Sequence, residues 1–541
     1  MEKRILDILI HNALVADGTG GPLIRWDIGI QGDRIEWLGR GEAPAARKRL
    51  NAEGLLVAPG FIDVHTHSDL SLIHTPSAEH KLFQGITTEV LGNCGLSVAP
   101  LPLNRRQEIQ NYMAFLFGHN SVANWSWSSL KEYLEYLQSA NPAVNALTLI
   151  AHGLIRLAVM GFDEKPANQQ HIASMQSMVA EAMADGAYGI STGLQYAPGC
   201  FATIEELIQI AQVVGRYGGI YCTHMRSQST GLLESVRDSI RIGREASVPV
   251  HISHLLAAGK PNWDKYDTAL ALIENGRAEG LDITYDMYPY HAGCTMLRVV
   301  LPPWVMEGGN EAAIKRLSDP AARARIREEL GRRDQSWDNI SSIAGWENLV
   351  PIQLSHPENQ NLVGRSLQDI SDLSGSDPLD VTIDLLASEG MEGMMIAFIS
   401  AEENVRKAVC GFYGMFGSDS IHTPEGSGGI HPRAYGAFPR YFAQYVRREK
   451  MLRLEEAIYK ATCLPATRFG LQNRGLIREG MAADLVVFDP ALLEDRATYL
   501  DPRQLSVGMA HVIVNGKLAL EDGRPTGERA GQVFYATRRP T

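Results

Sequence analysis

No stretch of this chain approaches the roughly 18 consecutive apolar residues that a membrane-crossing helix requires. Its opening segment, MEKRILDILIHNALVADGTG, interrupts its apolar run at Asp7, His11 and Asn12, so a secretory leader is not expected. Cysteine is scarce and dispersed. Cys94, Cys200, Cys222, Cys294, Cys410 and Cys463 form no CxxC and no dense framework, which excludes a disulfide scaffold and points to reduced thiols in a cytoplasmic setting. Excess positive charge is also missing. With 50 Lys and Arg against 62 Asp and Glu, the net charge of −12 argues against nucleic acid or an anionic membrane as partner. What remains is an ordinary soluble composition, 45% apolar and 21% charged, in 541 residues. That length exceeds what one hydrophobic core fills, so more than one structural unit is expected.

The two ends of the chain share a pattern. DILIHNALVADG and DIGIQGDRIEWLG near the start, and GMAADLVVFDP and HVIVNGKLALEDGRPTG near the end, alternate apolar and polar residues between Gly, Asp and Asn-Gly turns. They predict one β-sandwich domain built from residues 1–59 and 468–541. Between them, over 60–467, eight short β-branched runs recur: GFIDVHTHSDL, GITTEVLGNCG, NALTLIAHG, GAYGISTGL, GGIYCTHMR, VPVHISHL, LDITYDMYPY and YGMFGSDS. Most are followed by a segment with helical i, i+3, i+4 spacing, such as QQHIASMQSMVAEAMADG. Strand–helix alternation repeated eight times predicts a (β/α)8 TIM-like barrel in the α/β class. The gap between the seventh and eighth runs is too long for one crossover, so about 300–410 reads as an inserted, lid-like segment.

Barrel enzymes carry their chemistry at the C-terminal ends of the strands. The first run ends in His65 and His67, whose i, i+2 spacing projects both imidazoles to one face. The second ends at Cys94 in GNCG, where flanking glycines would let the backbone come close to an ion. The fifth ends at His224, the sixth at His254 and the eighth at Asp419. Each has a duller explanation alone: a polar strand end, a buried small hydrophobe, a hydrogen-bonded histidine. Together, a thiolate, four imidazoles and a carboxylate at one mouth form a zinc-type ligand set.

PGFIDVHTHSD resembles the signature of the amidohydrolase superfamily. VLGNCG, GISTGLQYAPG, YCTHMRS, HISHL, YDMYPYHAG, GSDS and HPRAYGAFPR, in that order, resemble the D-aminoacylase (N-acyl-D-amino-acid deacylase) family over nearly the whole chain. The resemblance implies a zinc-dependent hydrolase of linear amides that releases a carboxylic acid and a D-amino acid from a small-molecule substrate. In that family Cys94, His224 and His254 would hold the tight zinc, and His65 and His67 a second, weaker metal with Cys94 bridging. Asp419 would be the catalytic acid/base. Arg433 and Tyr196 would hold the substrate's α-carboxylate; a planar guanidinium suits that task because it bonds both oxygens at once.

Two positions depart from the family. Leu256 stands where a carboxylate-binding lysine is usual, with Lys260 four residues on, and Gln228 stands where Glu is common. A different amide, without an amino-acid carboxylate, therefore stays open as substrate. Cyclic-amide hydrolases of the superfamily use a carboxylated lysine after strand four, and this chain has no lysine between Lys165 and Lys260. A mononuclear deaminase does not call for GNCG as a metal ligand, and a scaffold without chemistry would predict missing ligands. His152, His291, Trp125 and Trp127 are weaker candidates with ordinary packing roles. An oligomer of identical chains is compatible with the sequence.

Overall fold

The computed structural model describes residues 5–117, 125–332, 337–423 and 429–537. Residues 1–4 and 538–541, expected in the terminal domain, lie outside the described residues. Each of the eight expected runs supplies one barrel strand. In order they are Phe61–Asp63, Ile86–Leu91, Asn145–Thr148 continued by Ile150–Ala151, Gly189–Gly193, Ile220–His224, Val250–Ile252, Ile283–Met287 and Gly414–Phe416. Neighbours pair in parallel, and the ring closes where Thr66 bridges Ser420 beyond the ends of the first and eighth strands. Asp419 N–H donates to the His65 carbonyl at 2.8 Å and His67 N–H to that of Ser420 at 2.9 Å. Every residue of these strands is buried, as expected where helices cover the outer face.

The helices read as the sequence suggests. Ile204–Arg216 buries Leu207, Ile210, Ala211 and Val214 along one face. Thr203 caps its start by accepting from Glu206 N–H, and Glu205 and Glu206 in the first turn complement the helix dipole. In the excursion, AAIKRLSDPAARARIREEL is two helices, Gly309–Leu317 and Pro320–Leu330. Proline at the first position of the second, after the Asp319 cap, forces the break.

The excursion between strands seven and eight starts earlier and ends sooner than 300–410. A three-stranded antiparallel sheet of Ala292–Met296, Met394–Phe398 and Leu349–Gln353 forms its base, with Met394–Phe398 central. Glu402–Cys410 packs instead on the seventh and eighth barrel strands, as an ordinary crossover helix. At the other end of the molecule, hydrogen bonds link nine strands from both termini into one continuous sheet. Leu56–Pro59 is the seam, parallel to Leu6–Val15 and antiparallel to Leu485–Phe488. Ile10, Ile28 and Val57 from one end share a core with Leu485, Val487 and Ile513 from the other. The last described residues leave this sheet: Ala146 of the third barrel strand hydrogen-bonds Gln532 and Phe534. No helix among the described residues is long and apolar enough to cross a membrane.

Candidate metal centre and active site

Six side chains from five strand ends meet at the barrel mouth. His65 and His67 follow the first strand, and the Thr66–Ser420 bridge between them keeps that segment extended. His224 ends the fifth strand; His254 lies two residues beyond the sixth. Cys94, His254 and Asp419 have φ of +54°, +33° and +49°, a region that costs a non-glycine residue on the order of 1 kcal/mol or more. Surrounding structure imposes that strain, as at many sites where groups are pre-positioned.

The glycines of GNCG have a different role from the expected approach to an ion. A Cβ on Gly95 would stand 2.6 Å from Gly193 N, and one on Gly92 would collide with the Leu149 carbonyl. They let the turn lie against the third and fourth strands, which places the Cys94 thiol over the barrel axis.

Two ligand groups result, His65–His67–Cys94–Asp419 and Cys94–His224–His254. Within each, all ligand atoms lie within 4.8 Å of one another and every residue is buried. Cys94 Sγ is 3.2 Å from His65 Nε2 and 3.4 Å from His254 Nε2. Asp419 Oδ1 is 3.3 Å from His65 Nε2 and 3.2 Å from His67 Nε2. Ligands at tetrahedral angles around a zinc ion with its usual bond lengths are about 3.4 Å apart. The donors therefore fit divalent cations, two of which could share the thiolate.

The electrostatics fit as well. Burial disfavours charge here, and neighbours overcome it. The His65 imidazole lies well above its ordinary range because Cys94, Asp286 and Asp419 surround it. His67 rises to about 9, through Asp419 and Cys94. Burial pushes the Cys94 thiol up, but His65 and His254 hold it well below normal. Asp419 is likewise held well down, by Arg433 and then His65. A thiolate and a carboxylate at this spacing draw positive charge into the cavity, which a metal ion supplies.

Behind these side chains stand partners of which the sequence singled out only Gln228. Asp286 Oδ2 lies 3.2 Å from His65 Nδ1 and 2.8 Å from His251 Nε2, while Oδ1 accepts from His254 N–H. The Gln228 amide is 2.8 Å from His254 Nδ1 and that of Gln195 3.0 Å from His224 Nε2. Gln228 Nε2 is the atom that faces Nδ1, and it donates to the His254 carbonyl at 3.3 Å; ligation through His254 Nε2 requires the amide turned so that its oxygen accepts from Nδ1–H. Lower in the barrel, Lys81 Nζ bridges Asp63 at 3.1 Å, Glu89 at 2.6 Å and Ser420 Oγ at 2.7 Å, tying the first, second and eighth strand segments together. Only the YDM of YDMYPY and the ITTEV run could have hinted at Asp286 and Glu89.

Arg433 Nη1 forms an ion pair with Asp419 Oδ2 at 2.8 Å and Nη2 donates to the Cys294 carbonyl at 3.3 Å, while Nε is buried without a hydrogen-bond partner. Its guanidinium lies over the Tyr288 ring at 4.7 Å. The Tyr196 hydroxyl lines the same cavity, 3.4 Å from His224 Nδ1 and 3.2 Å from Thr295 Oγ1. Tyr288 is the tyrosine at Arg433, and the YPY motif was its only trace. Leu256 lines the metal cavity, whereas Lys260 is exposed. His152 pairs with Glu206 at 3.0 Å beside Arg156, away from the mouth. His291 packs against Phe398, and Trp125 stacks on Trp127 in the core.

Comparison with known proteins agrees with this geometry. The Amidohydrolase family model matches residues 48–278 and 412–519, breaking across the excursion. D-aminoacylase of Alcaligenes xylosoxydans xylosoxydans is 36% identical over 539 residues, 99% of each chain. Among solved structures, D-aminoacylase, described as having a binuclear metal centre, is 34% identical with a TM-score of 0.82, covering 98% of this chain and 100% of that one. N-acyl-D-glutamate deacylase of Bordetella bronchiseptica, solved with zinc and a phosphonate mimic of the tetrahedral intermediate, is 31% identical with a TM-score of 0.81 over the same shares. The chain is a member of the amidohydrolase family, in its D-aminoacylase branch.

Proposed function

We propose that the protein is a zinc-dependent hydrolase that deacylates N-acyl-D-amino acids. Cys94, His224 and His254 would hold the tighter zinc; His65, His67 and the shared Cys94 would hold a second, weaker one. Bound there, the cation lowers the pKa of water toward ~7 and polarises the amide carbonyl. Asp419, held ionised by Arg433 and His65, takes a proton from water as its oxygen adds to the carbonyl carbon. It returns that proton to the amide nitrogen as the C–N bond breaks, releasing a carboxylate and an amine. The Arg433 guanidinium suits the α-carboxylate, because it is buried with Nε unpartnered and its planar fork can bond an anion beside Asp419.

One observation carries this reading: Asp419 bridges His65, His67 and Arg433 within 3.3 Å, joining metal ligands to a carboxylate anchor. The test is Asp419→Asn in zinc-loaded enzyme, with N-acetyl-D-amino acids as substrates. Turnover is expected to fall about 10²- to 10⁴-fold, the range for a lost general acid/base; parental turnover would refute the mechanism.

Leu256 in the cavity wall favours a second reading, an amide substrate without an α-carboxylate. Faster turnover of carboxylate-free amides than of N-acyl-D-amino acids would establish it. Six free thiols support a cytoplasmic enzyme.

A further inference from the structure

Cys94 occupies a tight turn whose strain requires a restraint. Leu96 N–H donates to the Asn93 carbonyl at 3.0 Å, which makes Cys94 and Gly95 the two central residues. Their φ values are +54° and +68°. Positive φ at both central positions belongs to the mirror-image turns, which glycine, asparagine and aspartate dominate. A cysteine there costs on the order of 1 kcal/mol or more, and the conformer persists only where its surroundings impose it.

The restraint comes from the fourth barrel strand, Gly189–Gly193. Ser191, buried within it, directs its hydroxyl at the turn. Oγ accepts from Gly95 N–H at 3.0 Å and donates to the Gly92 carbonyl at 2.5 Å. One hydroxyl thus spans the residues on either side of the Asn93–Cys94 pair, and it satisfies a buried donor and a buried acceptor together. Gly193 follows on the same face of the strand, so close that a Cβ there would stand 2.0 Å from the Cys94 carbonyl oxygen. Other tethers hold only the entry to the turn. Asp69 Oδ2 accepts from Gly92 N–H at 3.4 Å, and the Asn93 amide donates to the Val90 carbonyl at 2.9 Å. Ser191 ties that entry to the exit at Gly95.

We propose, resting on the metal centre described above, that Ser191 is a positioning residue for the thiolate the two ligand groups share. Without its hydroxyl, Gly95 N–H and the Gly92 carbonyl lose this partner, and Cys94 is free to relax toward negative φ. Relaxation swings Sγ away from its place 3.2 Å from His65 Nε2 and 3.4 Å from His254 Nε2. Both groups use that sulfur, so both lose affinity, whereas a change at His224 or His67 touches one.

The test is zinc affinity by chelator competition in the full chain, for the parent, Ser191→Ala, Ser191→Cys and Ser191→Thr. Denaturant unfolding of the metal-free proteins runs alongside. Ser191→Ala is expected to bind the tighter zinc about 10- to 100-fold more weakly, the range for a lost supporting partner. Its cobalt-loaded form should show a weakened thiolate-to-metal charge-transfer band. Ser191→Thr keeps the hydroxyl and should recover most of the affinity; Ser191→Cys, a poorer hydrogen-bonding group, should fall between. Parental zinc affinity with a parental cobalt band in Ser191→Ala would overturn the proposal, even with stability lowered, because the hydroxyl would then serve the fold alone. An equal loss in Ser191→Thr would overturn it too, by tracing the effect to shape. If Ser191→Ala does not fold, Ser191→Cys decides: weakened zinc binding supports the proposal and parental binding refutes it. A parent that binds no zinc, or whose cobalt complex lacks the thiolate band, would refute the metal centre itself and the proposal with it.

Discussion

The two ligand groups that share Cys94 are built from opposite materials. On the side of strands one and eight, His65 and His67 face Asp286 and Asp419 and stand over the buried Lys81–Asp63–Glu89 cluster. On the side of strands five and six, His224 and His254 are supported by the neutral amides of Gln195 and Gln228. Negative neighbours raise both imidazoles of the first group, Cys94 with Asp286 and Asp419 at His65 and Asp419 with Cys94 at His67, and burial lowers His224 in the second. At neutral pH a metal would have to displace protons from His65 and His67, whereas His224 offers a free lone pair. Proton competition would then make the site of His65 and His67 the weaker of the two proposed above.

The severest way to break this asymmetry is Cys94→Ser, which removes the ligand common to both groups. Zinc retained after dialysis, measured by mass spectrometry, should fall to near zero, with activity down about 10³-fold or more. His224→Asn should cost the tight ion, while His67→Asn should leave about one zinc per chain; equal losses from the two variants would erase the distinction. Gly95→Ala attacks the turn that presents Cys94. Its Cβ would lie 2.6 Å from Gly193 N at a φ of +68°, so denaturant unfolding should show a loss on the order of 2 kcal/mol or more.

Gln228→Glu tests the contrast by giving the second group a carboxylate. A charged acceptor on Nδ1–H favours the protonated imidazole, as Asp286 does at His65, so competition with a zinc chelator at neutral pH should show affinity falling about tenfold, with the loss shrinking as the pH rises. A pH-dependent effect concerns the segment that carries Asp419. His422, three residues on, stacks on His80 at 4.0 Å, and both imidazoles are buried. Burial, then Arg503 and Lys81, depress His422 to about 4 from 6.5. The folded state therefore binds fewer protons than the unfolded one between these values. Its contribution is complete above about pH 6.5 and disappears as pH falls toward 4, on the order of 3 kcal/mol at most. Thermal melts of parent and His422→Phe over pH 7 to 4 should converge as the pH falls; parallel curves would exclude this source.

The barrel was legible because a parallel strand buried on both faces is written as a continuous β-branched run, and each run here ends in a turn. That six metal-type side chains meet at one mouth was legible for the same reason: each stands where a strand stops. Asp286 was hidden because a carboxylate inside a strand looks like any polar interruption until its neighbours are known. Tyr196 was joined to Arg433 by motif alone; its hydroxyl stands at the His224 side of the same cavity, and the structure adds Tyr288 under the guanidinium. The excursion's bounds were misplaced because Glu402–Cys410 is amphipathic whether it belongs to a lid or to a crossover.

By itself the sequence determined the order of strands and helices, the residue types at each strand end and the departures at Leu256 and Gln228, since these depend on local periodicity and identity. Only the tertiary structure decided which donors share the thiolate, that Tyr288 lies under the Arg433 guanidinium, and why Gly92 and Gly95 cannot bear a side chain. Those are relations between residues as many as several hundred positions apart, and closure of the ring creates them all at once.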